Sequence, residues 1–310
     1  MSIAPAKPSR ARATLALALV FAAVLVGADS LRTGWRPSAG WFLGAVAVLL
    51  ALVLGSWGGT HVTQILRRRI ALSSRAKRGV SAEAEGSAKP EAGSSSRVAV
   101  FVRVEPPAGA ESRNWLPLEL IASYLDRYGV RCAAVRVAFR RSRRYGQEAW
   151  ITLVVDATEN LAALEARSAR IPLHELAEAT RRRLAAQLRE EGFAAEHADT
   201  APKLVWAGSE DWNGVVDGEE RVAAYAVSTG GDLDARLAEI AAYPAQETWT
   251  VLEFTGSPAS ATLTVACALR KQGVVELLPA GLQPHRGAHL PALAILAPDS
   301  TALLSTAASL

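Results

Sequence analysis

Two apolar runs crowd the first 66 residues and restrict what this chain can fold into more than any other feature. The first, Ala13 to Ala28 (ATLALALVFAAVLVGA), extends to Leu31 only by including Asp29. The second, Trp41 to Trp57 (WFLGAVAVLLALVLGSW), continues with helical spacing through Val62 to Leu66. A bilayer core of about 30 Å is crossed by about 20 helical residues, so each run suffices once its flanks are counted. Trp35, Trp41 and Trp57 stand at run boundaries, where amphipathic rings favour the headgroup layer. Arg32–Gly40 is short enough to join the runs as a helical hairpin. The expectation is two transmembrane helices within residues 13–66, after a basic N-terminus at 1–12.

Charge sets the expected orientation. Lys7, Arg10 and Arg12 precede the first run, and Arg67, Arg68, Arg69, Arg75, Lys77 and Arg78 follow the second. The loop between carries only Arg32 and Arg36, offset by Asp29. The positive-inside rule then places both termini in the cytoplasm of a multi-pass plasma-membrane protein. A competing reading takes Val26-Gly27-Ala28 as a signal-cleavage site, which leaves a single anchor. The net charge of +4 divides unevenly. Residues 1–96 hold 12 Lys/Arg against 4 Asp/Glu, and the remainder holds 22 against 26. The pI of about 9.3 therefore does not signal nucleic acid, because the basic excess lies beside apolar runs and the folded part is mildly acidic. Two cysteines provide neither a disulfide scaffold nor a thiolate cluster.

Residues 67–96 read as a basic stop followed by a flexible Ser/Gly/Ala tether, Ser73 to Ser96. From Arg97 the pattern changes to period-two strands and helical stretches. RVAVFVRVE (97–105), VRCAAVRVAF (130–139) and AWITLVVD (149–156) read as strands, and LPLELIASYLDRYG as a helix stopped by Gly129. A helical stretch over 161–191 breaks near Ile171-Pro172, and FAAEHA (193–198) is a short strand. This is β-α-β-β-α-β, the ferredoxin-like order, so the expected fold is a cytosolic mixed α/β domain over 97–272 behind the membrane hairpin. RVAAYAVS (221–228), DLDARLAEIAAY (232–243), TWTVLEFT (248–255) and ATLTVACAL (261–269) partly repeat the order, either as a duplication or as one continuous mixed sheet. The Pro/Gly/Ala-rich tail, 273–310, offers only a short apolar segment at Leu293–Leu296.

Catalytic signatures are sparse. There is neither a GxGxxG after a strand nor a GxxxxGK[ST]. His174-Glu175 opens an HExxE that lacks the second imidazole of a zinc helix. His285 and His289 have metal-ligand spacing but lie in a Pro/Gly-rich stretch without a third ligand. Asp232-Leu233-Asp234 resembles a metal-binding DxD, yet acidic residues at a helix start also satisfy orphan amides, and capping is the preferred reading. The run Arg140, Arg141, Arg143 and Arg144 reads as a hairpin tip able to meet a partner or a membrane surface. Arg181, Arg182 and Arg183 read as an exposed, ion-paired helix face, and Cys132 and Cys267 as buried core.

The paired apolar runs flank an Arg-Thr-Gly-Trp-Arg loop. A basic stop and RVAVFVRVE follow, then LPLELIASYLDRYGVRCAAVRV, AWITLVVDATENLAAL and IPLHELAEATRRRLAAQLREEGF. In that order and wording, residues 10–270 resemble EccE, a membrane subunit of the actinobacterial type VII (ESX) secretion machinery. The resemblance implies a non-catalytic accessory subunit that stabilises an assembly with EccB, EccD and the EccC ATPase, with no cofactor, metal or nucleic acid. No family catalytic residues exist to carry over. The alternatives are a membrane-tethered, metal-dependent glycosyltransferase using Asp232 and Asp234, or an adaptor outside any secretion system.

Overall fold

The structure, a computed structural model, describes residues 20–26, 41–42, 44–46, 56–57, 60–61, 68–69, 96–107, 115–144, 146–166, 172–198, 200, 202, 208–273 and 278–308. The chain divides into two units, Met1–Lys77 and Arg78–Leu310. In the first, residues 20–26 are helical, and Val20, Phe21, Val24 and Leu25 are exposed. Strands β1 (Ser56–Trp57) and β2 (Thr60–His61) pair antiparallel, with Gly58-Gly59 between them in sequence.

These findings overturn the two-helix membrane hairpin. The expected second span, Trp41 to Leu66, contains a strand pair, and a Gly-Gly dipeptide both weakens a helix and suits a reversal between strands. Among the described residues, no helix is long and apolar enough to cross a membrane. Most of 13–31, like the tether at 73–95 and the N-terminus at 1–12, lies outside the described residues.

The second unit begins with β3 (Arg97–Val104), α1 (Leu118–Ser123), β4 (Asp126–Arg127), β5 (Val130–Ser142) and β6 (Gly146–Asp156). Then come α2 (Leu161–Glu165), α3 (Leu173–Glu190), β7 (Ala195–His197), β8 (Ser209–Glu210), β9 (Val215–Asp217) and β10 (Glu220–Val227). It ends with α4 (Leu233–Ala242), β11 (Glu247–Ser257), β12 (Ser260–Gln272), β13 (Leu282–Pro284), α5 (His289–Ile295) and α6 (Leu304–Ala308).

All these strands join one 11-stranded sheet in the order β7-β3-β6-β5-β11-β12-β10-β9-β8, with β13 on β10 and β4 on β5. Every pairing is antiparallel. The expected ferredoxin-like α/β domain is thus replaced by a continuous antiparallel sheet with few helices. Two causes are visible. Strands β5 and β11 pair edge to edge over Val135–Ser142, which fuses what the sequence presents as successive halves. The expected helix from Leu116 also stops after Ser123, because Tyr128 and Gly129 adopt positive φ and turn Arg127 back to pair with Val130.

Period-two alternation gives the sheet two apolar faces. Val102, Val137, Ile151, Leu153, Leu252 and Val265 lie on one, packed with Leu176, Leu184 and Leu188 of α3 and Leu237 and Ile240 of α4. The other carries Phe101, Ala138, Trp150, Trp249 and Val251, covered by Leu293, Ile295, Leu296 and Leu304. The tail is therefore a layer of the core, contributing β13, α5 and α6.

That layer is pinned at the β5–β11 seam. Arg136 and Glu253 lie opposite each other in the register, 2.7 Å apart, with side-chain exposures of 2% and 0%. The Arg136 guanidinium also donates to Ser300 O at 2.8 Å and to Ala302 O. Leu304 N–H donates to Glu253 Oε1 at 2.8 Å. Alongside, Thr152 Oγ1 donates to Pro298 O at 2.9 Å and Trp249 Nε1 to Leu296 O at 3.0 Å. Burial lowers the Arg136 pKa from its ordinary value, and Glu253 opposes that shift.

Arg136→Met strands a buried carboxylate and frees two backbone carbonyls, so it is expected to cost about 3–5 kcal/mol of unfolding free energy. Replacing both partners, Arg136→Met with Glu253→Leu, is expected to recover part of that loss. Urea unfolding checks both, and a single-variant effect below about 1 kcal/mol contradicts the assignment.

Candidate functional site

Beside Trp150 and Trp249, on the same face, alternating charges cross the sheet, with Arg103 opposite Trp150 and Arg140 opposite Trp249 in the registers. Arg103 of β3 meets Glu148 of β6 at 3.2 Å, and Arg140 of β5 meets the same carboxylate at 3.4 Å. Arg140 also reaches Glu247 of β11 at 2.6 Å. Arg270 of β12 continues the row to Glu247 at 3.7 Å, Glu220 of β10 at 2.7 Å and Asp217 of β9 at 3.5 Å. Arg140 opposes Glu148, and Glu247 opposes Arg270, in the strand registers. Opposite charges on facing strands stabilise a sheet, and this ladder does so across seven neighbouring strands. The stacked rings of Trp150 and Trp249, 5.2 Å between centroids, lie beneath it, with the Arg140 guanidinium 6.0 Å from the Trp249 ring.

This geometry divides the expected arginine cluster. Arg140 is a rung of the ladder, with 15% of its side chain exposed. Arg141 points to the other face and donates to Ala241 O in the last turn of α4 at 2.7 Å, which suits a cation at a helix C-terminus. Arg143 and Arg144 are exposed at the β5–β6 turn, where their N–H groups donate to Gln246 O and Ser142 Oγ. Only the turn pair and Arg141 remain on the surface.

The other motifs resolve into structural roles. Asp232 caps α4, its Oδ1 accepting from Ala235 N–H at 2.9 Å. His174 is exposed on α3, and Glu178 of the same HExxE is bonded to Arg181. Arg181 is buried rather than exposed, reaching Glu178, His197 and Phe101 O, whereas Arg182 and Arg183 face solvent. Among the described residues, no three His, Cys, Asp or Glu side chains are grouped to hold a metal. Cys132 and Cys267 are both buried, and burial pushes the Cys132 thiol up to about 12.

His285 and His289 complete the edge of β10. Residues 220–222 of that strand pair with β9 and 225–227 with β13, which leaves Ala224 between them. His285 N–H donates to Ala224 O at 3.0 Å, and Ala224 N–H donates to His289 Nδ1 at 3.1 Å. Because Nδ1 accepts, the neutral ring carries its proton on Nε2. Burial and then the neighbouring His285 hold the His289 imidazole down at about 4, with Arg221 a smaller contributor and the Trp212 backbone and Asp211 pulling the other way.

The comparisons with known proteins follow the same lines as the sequence wording. Residues 145–227 match a family described as EccE, putative type VII ESX secretion system translocon. The chain is 42% identical over 294 residues to the ESX-3 secretion system protein EccE3 of Mycolicibacterium smegmatis, covering 93% of this chain and 88% of the relative. It is 40% identical over 313 residues to the protein of the same name in Mycobacterium tuberculosis, covering 97% of this chain and 88% of that one.

Two outcomes test the assignments. Arg140→Ala, which leaves two carboxylates facing each other, is expected to cost about 1–3 kcal/mol, whereas Arg143→Glu with Arg144→Glu stays within about 0.5 kcal/mol. Thermal or urea unfolding ranks them, and equal effects contradict the division of the cluster. For His289, the unfolded ring titrates near 6.5 and the folded one near 4, so the unfolded chain binds the extra proton. Its contribution is complete above pH 6.5 and is lost as pH falls toward 4, by up to about 3 kcal/mol. His289→Gln, which keeps an acceptor for Ala224, is expected to flatten that window of the stability–pH curve; an unchanged slope contradicts the assignment.

Proposed function

We propose, from the premise that this chain belongs to the EccE family, that it is a non-catalytic structural subunit that stabilises an ESX protein-secretion membrane complex. The observation that carries the reading is how the polar chemistry is spent. The arginine and glutamate ladder, the buried Arg136–Glu253 pair, the Asp232 cap and the two histidines are all committed to holding the sheet together. An antiparallel slab whose ladder and seam charges are paired with one another suits a brace between neighbours. The relatives are named as secretion system proteins, which agrees with that role.

Its neighbours in this reading are the other ESX membrane subunits, EccB, EccD and the ATPase EccC, together with the lipid bilayer. The N-terminal unit meets lipid through the apolar side chains it exposes, among them Phe21, Val24 and Leu25 on helical residues 20–26 and Trp41. The sheet unit lies on the cytoplasmic side in this reading, since the excess of Lys/Arg in residues 1–96 suits contact with the anionic cytoplasmic leaflet. Arg141, Arg143 and Arg144 form a contact surface at the β5–β6 turn. With a tag after Leu310, extraction in mild detergent and blue-native electrophoresis are expected to recover the chain with the other subunits. Charge reversal at Arg143 and Arg144 is expected to loosen that association without unfolding the chain. A lone small species across several gentle detergents contradicts the reading.

A further inference from the structure

Among the described residues, Tyr128 is the one non-glycine with positive φ, at 56°, and Gly129 follows at 72°. They are the two central positions of the β4–β5 turn, which closes between Arg127 and Val130. Such a turn needs left-handed backbone at both positions, and Asn-Gly or Gly-Gly meets that need without strain. A tyrosine here is strained, and it also holds its ring out in solvent, 56% exposed.

The ring is set between two cations. The Arg127 and Arg183 guanidiniums lie 5.1 and 5.2 Å from its centroid. Tyr124 meets it edge-on at 6.4 Å and is itself fixed by donating to Gln187 Oε1 at 3.0 Å. Arg127 is steadied by donating to Ser123 Oγ at 2.8 Å. Among the described residues, neither guanidinium forms an ion pair, in contrast to the arginines of the ladder. Their forks are oriented by rings and remain available for carboxylates, the acceptors whose geometry they match.

We propose that Tyr128, with Arg127 and Arg183, anchors a docking surface for an acidic segment of a neighbouring protein. Tyrosine and arginine dominate the energetics of protein interfaces, and strain at an exposed aromatic is tolerated where the ring is needed. Glu190 is exposed on the same side of α3, and Asp126, 42% exposed, adjoins the turn, so anion acceptance is confined to the two guanidiniums: a narrow segment can set its carboxylates on Arg127 and Arg183, whereas a broad anionic membrane surface also meets the two rim carboxylates. The inference rests on the chain working within an assembly, and the two fail separately: loss of the assembly refutes the proposed function, and an intact assembly without contact at Tyr128 refutes only this surface.

The test uses the full chain in intact membranes with the photoreactive residue p-benzoylphenylalanine in place of Tyr128. Irradiation is expected to join it to a subunit of the recovered assembly, at a peptide containing Asp or Glu, and Arg183→Glu is expected to reduce the adduct about tenfold. A lipid adduct, an adduct only within the chain, or one unaffected by Arg183→Glu overturns the proposal. Tyr128→Asn keeps a residue suited to the turn, so it is expected to fold with an undiminished Tm while that contact weakens. A folded Asn variant with undiminished association also overturns it, and Arg183→Glu decides the matter if the Asn variant does not fold.

Discussion

The Arg136–Glu253 pair sits where the structure is least determined by chain connectivity. Its partners are 117 residues apart, and no tight turn joins β5 to β11. Two long strands meeting edge to edge can slip, and a slip of one residue turns every side chain to the wrong face. A buried guanidinium opposite a buried carboxylate admits one register, because any other leaves two charges unpaired in the core. The pair is expensive to desolvate, and it is completed by backbone groups of 300–304, which supply two carbonyls and an N–H. The seam and the C-terminal layer therefore specify each other.

From that seam the second face is organised in rows. Arg136 and Glu253 with Thr152 form one row; the stacked tryptophans lie beyond it, and the charge ladder runs past them, with Arg103 opposite Trp150 and Arg140 opposite Trp249. Reading outward from the seam, β5, β6 and β3 on one side mirror β11, β12 and β10 on the other, each the second, third and first long strand of its half. A sheet tied across its width by apolar, aromatic and ionic rows transmits load as one body. That property suits the bracing role proposed above.

The sequence made some of this legible and hid the rest for physical reasons. Alternation in RVAVFVRV and TWTVLEFT announced the strands, since period-two burial leaves a direct trace. Asp232 announced its cap, because the capping oxygen belongs to a side chain. The seam left no such trace: Arg136 is one residue within VRCAAVRVAF, and Arg140 reads as part of a hairpin tip, until β11 and the tail cover or pair them. The tail was opaque because its holding groups are carbonyls of Pro298, Ser300 and Ala302, which every residue type carries. The turn after Ser123 was hidden by a tyrosine in a position where Asn is the usual marker. Apolar content near the N-terminus measured hydrophobicity well, but it could not reveal that Ser56–Trp57 and Thr60–His61 pair as strands.

Hydrogen–deuterium exchange resolved by residue tests the continuous sheet most directly. If the seam is integral, the paired β5 and β11 amides between Val135 and Ser142 and their partners exchange together with the Leu304 N–H and the β5–β6 core. They then share one opening free energy, equal to that of global unfolding. Seam amides that exchange well ahead of those within each half, with Leu304 faster still, would mean that the halves open independently, and they would contradict a single sheet locked by Arg136 and Glu253.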